Sequence, residues 1–427
     1  MRALGRVRRA RASALACALP LVVGCLVVGY GSVPAGAAST SGAPGVTANS
    51  ITIGFVTSET GPAAPTFSDS GGGALARFAV QNAQGGVDGR KLKLVVKDDQ
   101  STPTTAATVA SELGGSNVFG VIEDSAIDDD YESGDHVLAG LHVPVTTWGT
   151  NTVDSNVFDA FEANVPGNGA PLDGVYPVYD YVSPFMKSLG VTKLAGITYS
   201  SIAQEMNEIL TASKKNGVSA CYRDVQVPIG GVNFTTDALA IDHAGCNGVV
   251  ISAVDSTDVG VANALKNEGS DAKQLYFTGY DQQVLSQPLS TSALDGAYFS
   301  TEFNMVTPNP ATKAMLAALK KYDTSYKGGI PDLGTLFAYV SADLMIKGLQ
   351  LAGPNPTQPS FITNLRQLTS YNAGGLLPDT LTYANFGTLA GLAKTECFYY
   401  VQLRSGKYYD THKGRPVCAP LEKLPAS

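Results

Sequence analysis

Short apolar strand patterns alternate with amphipathic helix patterns along most of this chain. Ile51, Ile53 and Phe55 show the two-residue period of a first strand, and the helix that follows should end at Gly85-Gly86. Further strands are predicted at 92–96, 118–122, 143–146, 194–198, 248–254, 275–278 and 297–301. This alternation predicts an α/β fold with doubly wound parallel sheets, and 427 residues are enough for two such lobes.

Local signals place several turns and helix ends. Three predicted helix starts carry capping residues: Thr102 before Pro103, Asn309 before Pro310, and Ser201 three positions ahead of Gln204. Near the C-terminus, Phe398 to Asp410 has the pattern of a hairpin around Ser405-Gly406. The chain therefore ends differently from its strand–helix body.

The first 37 residues have the features of a signal peptide. Five arginines between Arg2 and Arg11 precede an apolar stretch at about 12–30, and Ala35-Gly36-Ala37 offers a cleavage site. Two alternatives are a bacterial lipobox that ends at Cys25 and an uncleaved membrane anchor. We expect an exported protein, secreted or associated with the cell envelope, in which residues 38–48 form a flexible spacer.

Four cysteines remain after the signal peptide, which allows three disulfide pairings. The simplest pairing is local, Cys221 with Cys246 and Cys397 with Cys418, because each pair brackets one short structural unit. A zinc site is the alternative, but no CxxC motif is present. Two structural disulfides are predicted, as suits an exported protein.

Charge and motifs exclude several classes of function. The net charge of −8, with scattered lysines and arginines, excludes a nucleic-acid binder. The sequence has no GxSxG, HExxH or Walker P-loop motif, and no GxGxxG after a strand, so it indicates no catalytic residues and no cofactor. The acidic run Asp128 to Asp130, with Glu132 and Asp135, lacks the spacing of an EF-hand loop, so we interpret it as a helix start and predict no metal site.

Polar loops follow the predicted parallel strands, and ligands bind at such strand ends in open α/β sheets. These loops mix hydroxyls, aromatics and isolated acids, and they lie at 57–60, 123–126, 146–150, 199–201, 255–256 and 280–281. Hydroxyls and helix N-termini can bind a carboxylate, and an acid can bind an ammonium group. The loops therefore predict a site for a small polar or zwitterionic ligand.

Four segments together carry a family resemblance: Ile51 to Gly54, Thr60 to Ala64, Asn82 to Arg90, and Asp98 to Gln100. Through them the chain resembles a type I periplasmic binding protein of the leucine/isoleucine/valine-binding group, the extracytoplasmic receptors of ABC importers. The resemblance implies two lobes joined by three crossover strands, near Gly167, Gln287 and Leu389. It assigns 49–166 and 288–389 to lobe 1, and 167–287 and 390–427 to lobe 2.

The resemblance also implies roles for residues of the strand-end loops. Ser125 would offer its hydroxyl to the ligand, Thr150 would hold the ligand's α-groups, and Asp281 would face its ammonium. Trp148, the only tryptophan, would form a wall of the pocket. The full predicted ligand-binding set is Ser125, Ala126, Trp148, Gly149, Thr150, Tyr199, Asp255, Tyr280 and Asp281.

Each of these residues also has a structural interpretation. Ser125 and Thr150 can be loop or N-cap hydroxyls, and Asp255 can be the N-cap of the helix that ends near Glu268. The two tyrosines can be half-buried packing residues. The structure can therefore show which polar groups are already bonded within the protein.

The leading hypothesis for function is a non-enzymatic receptor. It would bind a small amino-acid-like solute between its lobes, close around it, and deliver it to the membrane permease of an ABC transporter. A secreted hydrolase and a sensory ligand-binding module on the same scaffold are the alternatives. The hydrolase is disfavoured because no nucleophile, base and orienting group can be assembled from the sequence.

Overall fold

Two β-sheets organise the part of the chain that the computed structural model describes, residues 42–127, 134–149, 159–163 and 171–425. The strands are β1 (Ser50–Thr57), β2 (Lys91–Asp98), β3 (Val121–Glu123), β4 (Val145–Thr147), β5 (Ala160–Glu162), β6 (Val175–Tyr179), β7 (Lys193–Thr198), β8 (Ser219–Asp224), β9 (Gly248–Ser252), β10 (Lys273–Tyr276), β11 (Tyr298–Thr301), β12 (Thr395–Arg404), β13 (Lys407–Asp410) and β14 (Val417–Pro425). The predicted strands are thus present, with ends shifted by a few residues.

Helices lie between most of the strands. They are α1 (Ala64–Phe67), α2 (Ser70–Ala83), α3 (Pro103–Gly114), α4 (Asp135–Gly140), α5 (Val182–Ser188), α6 (Ala203–Lys215), α7 (Thr235–His243), α8 (Asp255–Asn267), α9 (Gln282–Ser286), α10 (Pro288–Ala293), α11 (Pro310–Tyr322), α12 (Leu333–Ala352) and α13 (Gln358–Leu365). Two short 3₁₀ turns, Ala373–Gly375 and Leu389–Gly391, follow α13. The observed architecture is the predicted α/β alternation.

The first sheet is parallel and is covered by helices on both faces. Within the described residues its order is β2-β1-β3-β4-β5. On one face Val56 and Val121 pack with Val109 of α3, and on the other face Phe55 packs in the larger core with Phe78 of α2. Both faces of the sheet are covered, so β1 is buried at nearly every position, as expected of a strand inside a parallel sheet. We call this sheet and its helices the first lobe.

The second sheet is mixed and defines the second lobe. Its order in the described part of the chain is β6-β14-β12-β11-β10-β9-β7-β8, with β13 beside β12. The strands from β7 to β11 are parallel, and β12 pairs antiparallel with β11. Because β11 belongs to this sheet, the chain returns to the first lobe after Thr301 and not near Gln287.

The C-terminal hairpin and both predicted disulfides are confirmed. Strands β12 and β13 pair around a two-residue turn at Ser405 and Gly406, both with positive φ, as a tight hairpin requires. Cys397 and Cys418 face each other on β12 and β14 and are joined, with Cα atoms 4.0 Å apart. The second bond is Cys221–Cys246.

Two of the three capping predictions are confirmed and one is wrong. Thr102 and Asn309 are N-caps whose side chains accept backbone hydrogen bonds from the third helical residue. The predicted capping box at Ser201 does not form, because helix α6 begins one residue later, after Ile202, without a side-chain cap. The Ser201 hydroxyl is buried and makes no hydrogen bond.

Several predictions fall outside the described residues. These are the signal peptide 1–37 with its alternative anchor at Cys25, the acidic run at 128–132, the crossover near Gly167, and Thr150. The side chain of Asp135 is not described either. Among the described residues, no helix is both long enough and apolar enough to cross a membrane.

Candidate functional site

The carboxyl edge of the first sheet brings together polar residues that are distant in sequence. Ser58 follows β1, Asp99 follows β2, and Ser125 lies two residues after β3. The three strands are parallel neighbours, so their ends meet at one edge, where ligands bind in open α/β sheets. All three side chains are fully or almost fully buried.

These three residues form a satisfied hydrogen-bond network. The Ser58 hydroxyl donates to Asp99 Oδ1 at 2.8 Å, the backbone N–H of Ser101 donates to the same oxygen at 2.7 Å, and Ser125 donates to Asp99 Oδ2. Ser125 Oγ also accepts the backbone N–H of Ile127 at 3.0 Å. Burial raises the pKa of Asp99, and the bonds from Ser125 and Ser58 partly oppose that rise. The Ser125 hydroxyl is therefore already bonded within the protein.

The predicted aromatic wall is a buried ring stack. Trp148 lies 4.0 Å from the ring of Phe337 at an interplanar angle of 8°, and 5.3 Å from the ring of Phe303. Phe337 belongs to α12, and Phe303 follows the last parallel strand of the second sheet. The stack therefore joins the first lobe to the segment through which the chain returns to it. Ala126 is buried beside Ser125, and Gly149 is partly exposed.

At the edge of the second sheet, Tyr199 has a structural bond of its own. It follows β7, and its hydroxyl accepts the backbone N–H of Val254 at 2.8 Å and lies 3.3 Å from Thr257 Oγ1. Both partners lie at the start of α8. The buried tyrosine thus fixes the turn that leads into this helix.

The interpretation of Asp255 as an N-cap is wrong. Val254 occupies the cap position, Asp255 is the first residue of α8, and no side chain caps that helix. The Asp255 side chain is only 5% exposed, and neither carboxylate oxygen makes a hydrogen bond. Its backbone N–H donates to Thr66 Oγ1 of the first lobe at 3.2 Å. Asp255 therefore lies where the two lobes touch.

Asp281 has the capping role that the sequence suggested for Asp255. It is the N-cap of α9, and its Oδ1 accepts the backbone N–H of Val284 at 2.7 Å. Next to it, Gln282 donates its backbone N–H to the Ile330 carbonyl at 2.8 Å, a second bond between the lobes. Tyr280 packs edge-on against Tyr408, with ring centroids 4.8 Å apart.

Five aspartates form what we call the acidic cluster: Asp124, Asp255, Asp258, Asp281 and Asp332. Burial and the charge of Asp258 raise the pKa of Asp255 to about 7, although Asp281 and Thr278 lie near enough to lower it in part. Burial and the charge of Asp255 raise the pKa of Asp281 well above its usual range. Burial raises the pKa of Asp332 to about 7, and Asp281 contributes to that rise. Carboxyl groups from both lobes therefore act on one another.

The sequence indicated only part of this cluster. It named Asp255 and Asp281, and it placed Asp124 in a strand-end loop without assigning it a role. Asp332 and Asp258 were missed. Asp332 has a visible signal, since it precedes the long apolar pattern of α12 and caps that helix by accepting the Thr335 N–H at 2.6 Å. Its position opposite α8 has no signal in sequence, because α12 and α8 belong to different lobes.

A family model described as "Periplasmic binding protein" matches residues 50–407. No curated protein matches the chain. The matched range runs from β1 to the first residue of β13, so it includes the first sheet, most of the second sheet and every residue of the acidic cluster.

Solved structures share this fold at low sequence identity. The branched-chain amino acid transporter substrate binding protein LivJ from Streptococcus pneumoniae, in complex with isoleucine, is 18% identical, with a TM-score of 0.68 and coverage of 88% of this chain and 100% of that one. A fatty acid ABC transporter substrate-binding protein from Thermomonospora curvata is 18% identical, with a TM-score of 0.68 and coverage of 87% and 94%. A solute binding protein from R. palustris, in complex with 4-hydroxybenzoate, is 18% identical, with a TM-score of 0.67 and coverage of 88% and 98%.

Proposed function

The chain belongs to the type I periplasmic binding protein family, and from that premise we propose that it captures an amino-acid-like solute with an ammonium group between its lobes. It is a solute-binding protein of the ABC transporter type, and members of its family act outside the cytoplasm. The proposal adds the class of ligand, the place where the ligand binds, and the residues that recognise it. It also adds delivery to a membrane permease.

The observation that carries the proposal is the buried, unbonded carboxylate of Asp255. Burying an acid without a partner costs free energy, so such groups are rare unless a ligand or another charge completes them. An ammonium group placed between Asp255 and the free side of Asp281 would supply that partner. We assign the main contact to Asp255, because Asp281 already caps a helix with one oxygen.

The related structures support a small organic ligand without naming it. One is in complex with isoleucine, one is in complex with 4-hydroxybenzoate, and one is the substrate-binding protein of a fatty acid ABC transporter. These compounds share little beyond small size and a carbon skeleton. One fold therefore serves ligands of different charge and polarity, and the side chains at the strand ends must decide which solute binds.

Closure of the lobes is the proposed mechanism. The Asp255–Thr66 and Gln282–Ile330 hydrogen bonds join the second lobe to the first. A ligand that contacts both lobes favours the closed arrangement by its difference in affinity for the two states, and by no more than that. We propose that the lobes separate at the chain segments that follow Thr301 and precede Thr395. No chemical step is required, so the solute should be released unchanged.

A thermal-shift scan of a solute library tests the proposal. A ligand at a hundredfold excess over its Kd should raise the unfolding free energy by about 2.7 kcal/mol. Each solute that binds is then incubated with the protein and recovered, and we expect its chemical structure to be unaltered. A protein that converts the solute would be an enzyme, and a library in which no amine stabilises the protein would contradict the assigned ligand class.

Export is proposed on the sequence alone. The mature protein should begin after Ala37, and mass spectrometry of the protein secreted by its native host measures this directly. A lipid on an N-terminal Cys25 would instead support the lipoprotein alternative.

A further inference from the structure

The charge of the ligand follows from the acidic cluster as a whole. We propose that the solute carries a net positive charge, as an organic diamine or a basic amino acid does, and that carboxylates of both lobes surround it. This inference rests on the proposed function and narrows its ligand class. An ordinary zwitterionic amino acid, with no net charge, would compensate fewer of these carboxylates.

The cluster takes its acids from both sides of the lobe interface. Asp124 follows β3 of the first sheet, whereas Asp255 and Asp281 follow β9 and β10 of the second. Asp332 is the N-cap of helix α12, which packs on the first lobe. Each lobe therefore contributes carboxyl groups to the interface between the two lobes.

Close packing where the two lobes touch brings these acids near one another. Gly334, two residues after Asp332, leaves no room for a Cβ, because that atom would collide with the Ser70 hydroxyl and the Thr66 carbonyl. Thr66 in turn accepts the N–H of Asp255. The beginning of α12, the helix that contains Ser70, and the first residue of α8 are thus in one continuous contact.

Two of the acids have no hydrogen-bond partner. Asp124 is completely buried, and neither of its oxygens is hydrogen-bonded, although the Ser70 hydroxyl is near enough to lower its pKa. In the second lobe, neither carboxylate oxygen of Asp255 is hydrogen-bonded. Asp99, by contrast, accepts three hydrogen bonds from its own protein. A ligand with donors toward both lobes would complete the two unbonded carboxylates together.

No cation of the described residues compensates the cluster. None of the ion pairs Arg77–Asp343, Lys97–Glu112, His142–Asp159 and Lys215–Glu422 includes a member of the cluster. The charged groups that shift the pKa of Asp124 and Asp281 are other carboxylates. The described residues therefore supply no positive charge to these carboxyl groups, and a bound cationic solute would supply it.

An organic cation suits the cluster better than a metal ion. A metal needs several ligand oxygens arranged around one point. Among the described residues, no group of three or more His, Cys, Asp or Glu side chains has such an arrangement. An organic diamine instead places its charges apart, which suits carboxylates that are spread over two lobes.

Three probes of matched skeleton test the inference by calorimetry on EDTA-treated protein: norleucine, lysine and cadaverine. Lysine adds a positive charge to norleucine, and cadaverine removes the carboxylate from lysine. We expect lysine to bind at least tenfold more tightly than norleucine, and cadaverine at least as tightly as lysine. Equal binding of norleucine and lysine would overturn the inference and leave the proposed function standing. Failure of both cations to bind at millimolar concentration would also overturn it, whereas the library scan alone decides the proposed function.

A first-lobe variant separates this inference from simple ammonium recognition by the second lobe. Asp124→Asn should weaken cadaverine binding at least tenfold and leave norleucine binding within twofold. Asp242→Asn removes the same charge from an exposed position on α7 and is the matched control, with no expected change. If Asp124→Asn unfolds, Asp255→Asn is measured with the same three probes. Unchanged cadaverine binding in a folded variant would contradict the assignment.

Discussion

The carboxyl edges of the two sheets each bury an aspartate, but the two aspartates differ in their partners. Asp99, at the edge of the first sheet, accepts hydrogen bonds from two serine hydroxyls and one backbone N–H. Asp255, at the edge of the second, accepts none, and its nearest charged neighbours are other acids. The two side chains are buried to a similar extent. They differ in whether the protein itself donates hydrogen bonds to the carboxylate.

This difference separates a structural acid from a functional one. A carboxylate that is satisfied by its own protein stabilises the loop that contains it. A buried carboxylate that is left unsatisfied lowers stability, and such groups cluster where a ligand or a reaction needs them. The comparison therefore assigns Asp99 to scaffolding and Asp255 to recognition, and each assignment can be tested by substitution.

The largest expected effect is on ligand affinity at the second edge. Asp255→Asn should weaken binding of a cationic ligand by about 2–5 kcal/mol, because it leaves the ligand's buried charge without its partner. Calorimetric titration with cadaverine measures the loss. The exposed Asp242→Asn variant should bind normally. Equal affinities of the wild type and Asp255→Asn would break the distinction between Asp99 and Asp255.

The corresponding substitution at the first edge should change stability and leave affinity alone. Asp99→Asn replaces an acceptor that receives three hydrogen bonds, so we expect the unfolding free energy to fall by ~1–3 kcal/mol. Urea denaturation measures it, with cadaverine affinity as the second measurement. If Asp99→Asn instead weakened binding as much as Asp255→Asn, Asp99 would belong to the ligand site.

The raised pKa values predict how affinity depends on pH. The pKa of Asp255 is about 7 in the empty protein, where Asp258, Asp281 and Asp332 face it and Thr278 lies nearby. A cationic ligand favours the ionised form, so binding releases a proton and strengthens as the pH rises. One such group gives about a tenfold gain in affinity between about pH 6 and about pH 8.

Stability of the empty protein should change in the opposite direction. An acid whose folded pKa is raised stabilises the fold most below its ordinary value of 3.8, and this contribution is lost as the pH rises through about 7. Thermal melts across this range measure it. An affinity that is independent of pH, with a stability that rises toward pH 8, would show that these carboxyls do not control either property.

The smallest expected effect concerns the bond between the lobes. Thr66→Val removes the acceptor of the Asp255 N–H and keeps the shape of the side chain, so closed-state binding should weaken by about 0.5–1.5 kcal/mol. Thr66→Ser keeps the hydroxyl and is the matched control. A loss of affinity in both variants would point to packing and away from this hydrogen bond.

Much of the fold follows from local sequence patterns. The period-two run at Ile51 and the caps at Thr102 and Asn309 depend on neighbours only a few residues away, and the structure confirms them. The local pairing of Cys221 with Cys246 is confirmed for the same reason. The capping box at Ser201 does not form, because the helix begins one residue later than the local pattern predicts, with Ile202 at the cap position.

The candidate site is less predictable, because its members are joined by contacts across the lobes. Strand-end position identified Asp255 and Asp281, yet their capping roles are exchanged in the structure. Sequence cannot show which acid is satisfied, since the partners of Asp99 come from two other strands. It also cannot show that Asp332 approaches the second lobe.

The central claim is that a cationic solute binds between the lobes and closes them. Small-angle scattering measures this directly, as the radius of gyration of the purified protein with and without saturating cadaverine. We predict a smaller radius for the wild type with cadaverine and no change for Asp255→Asn at the same concentration. Tight cadaverine binding by calorimetry with an unchanged radius of gyration would contradict the claim.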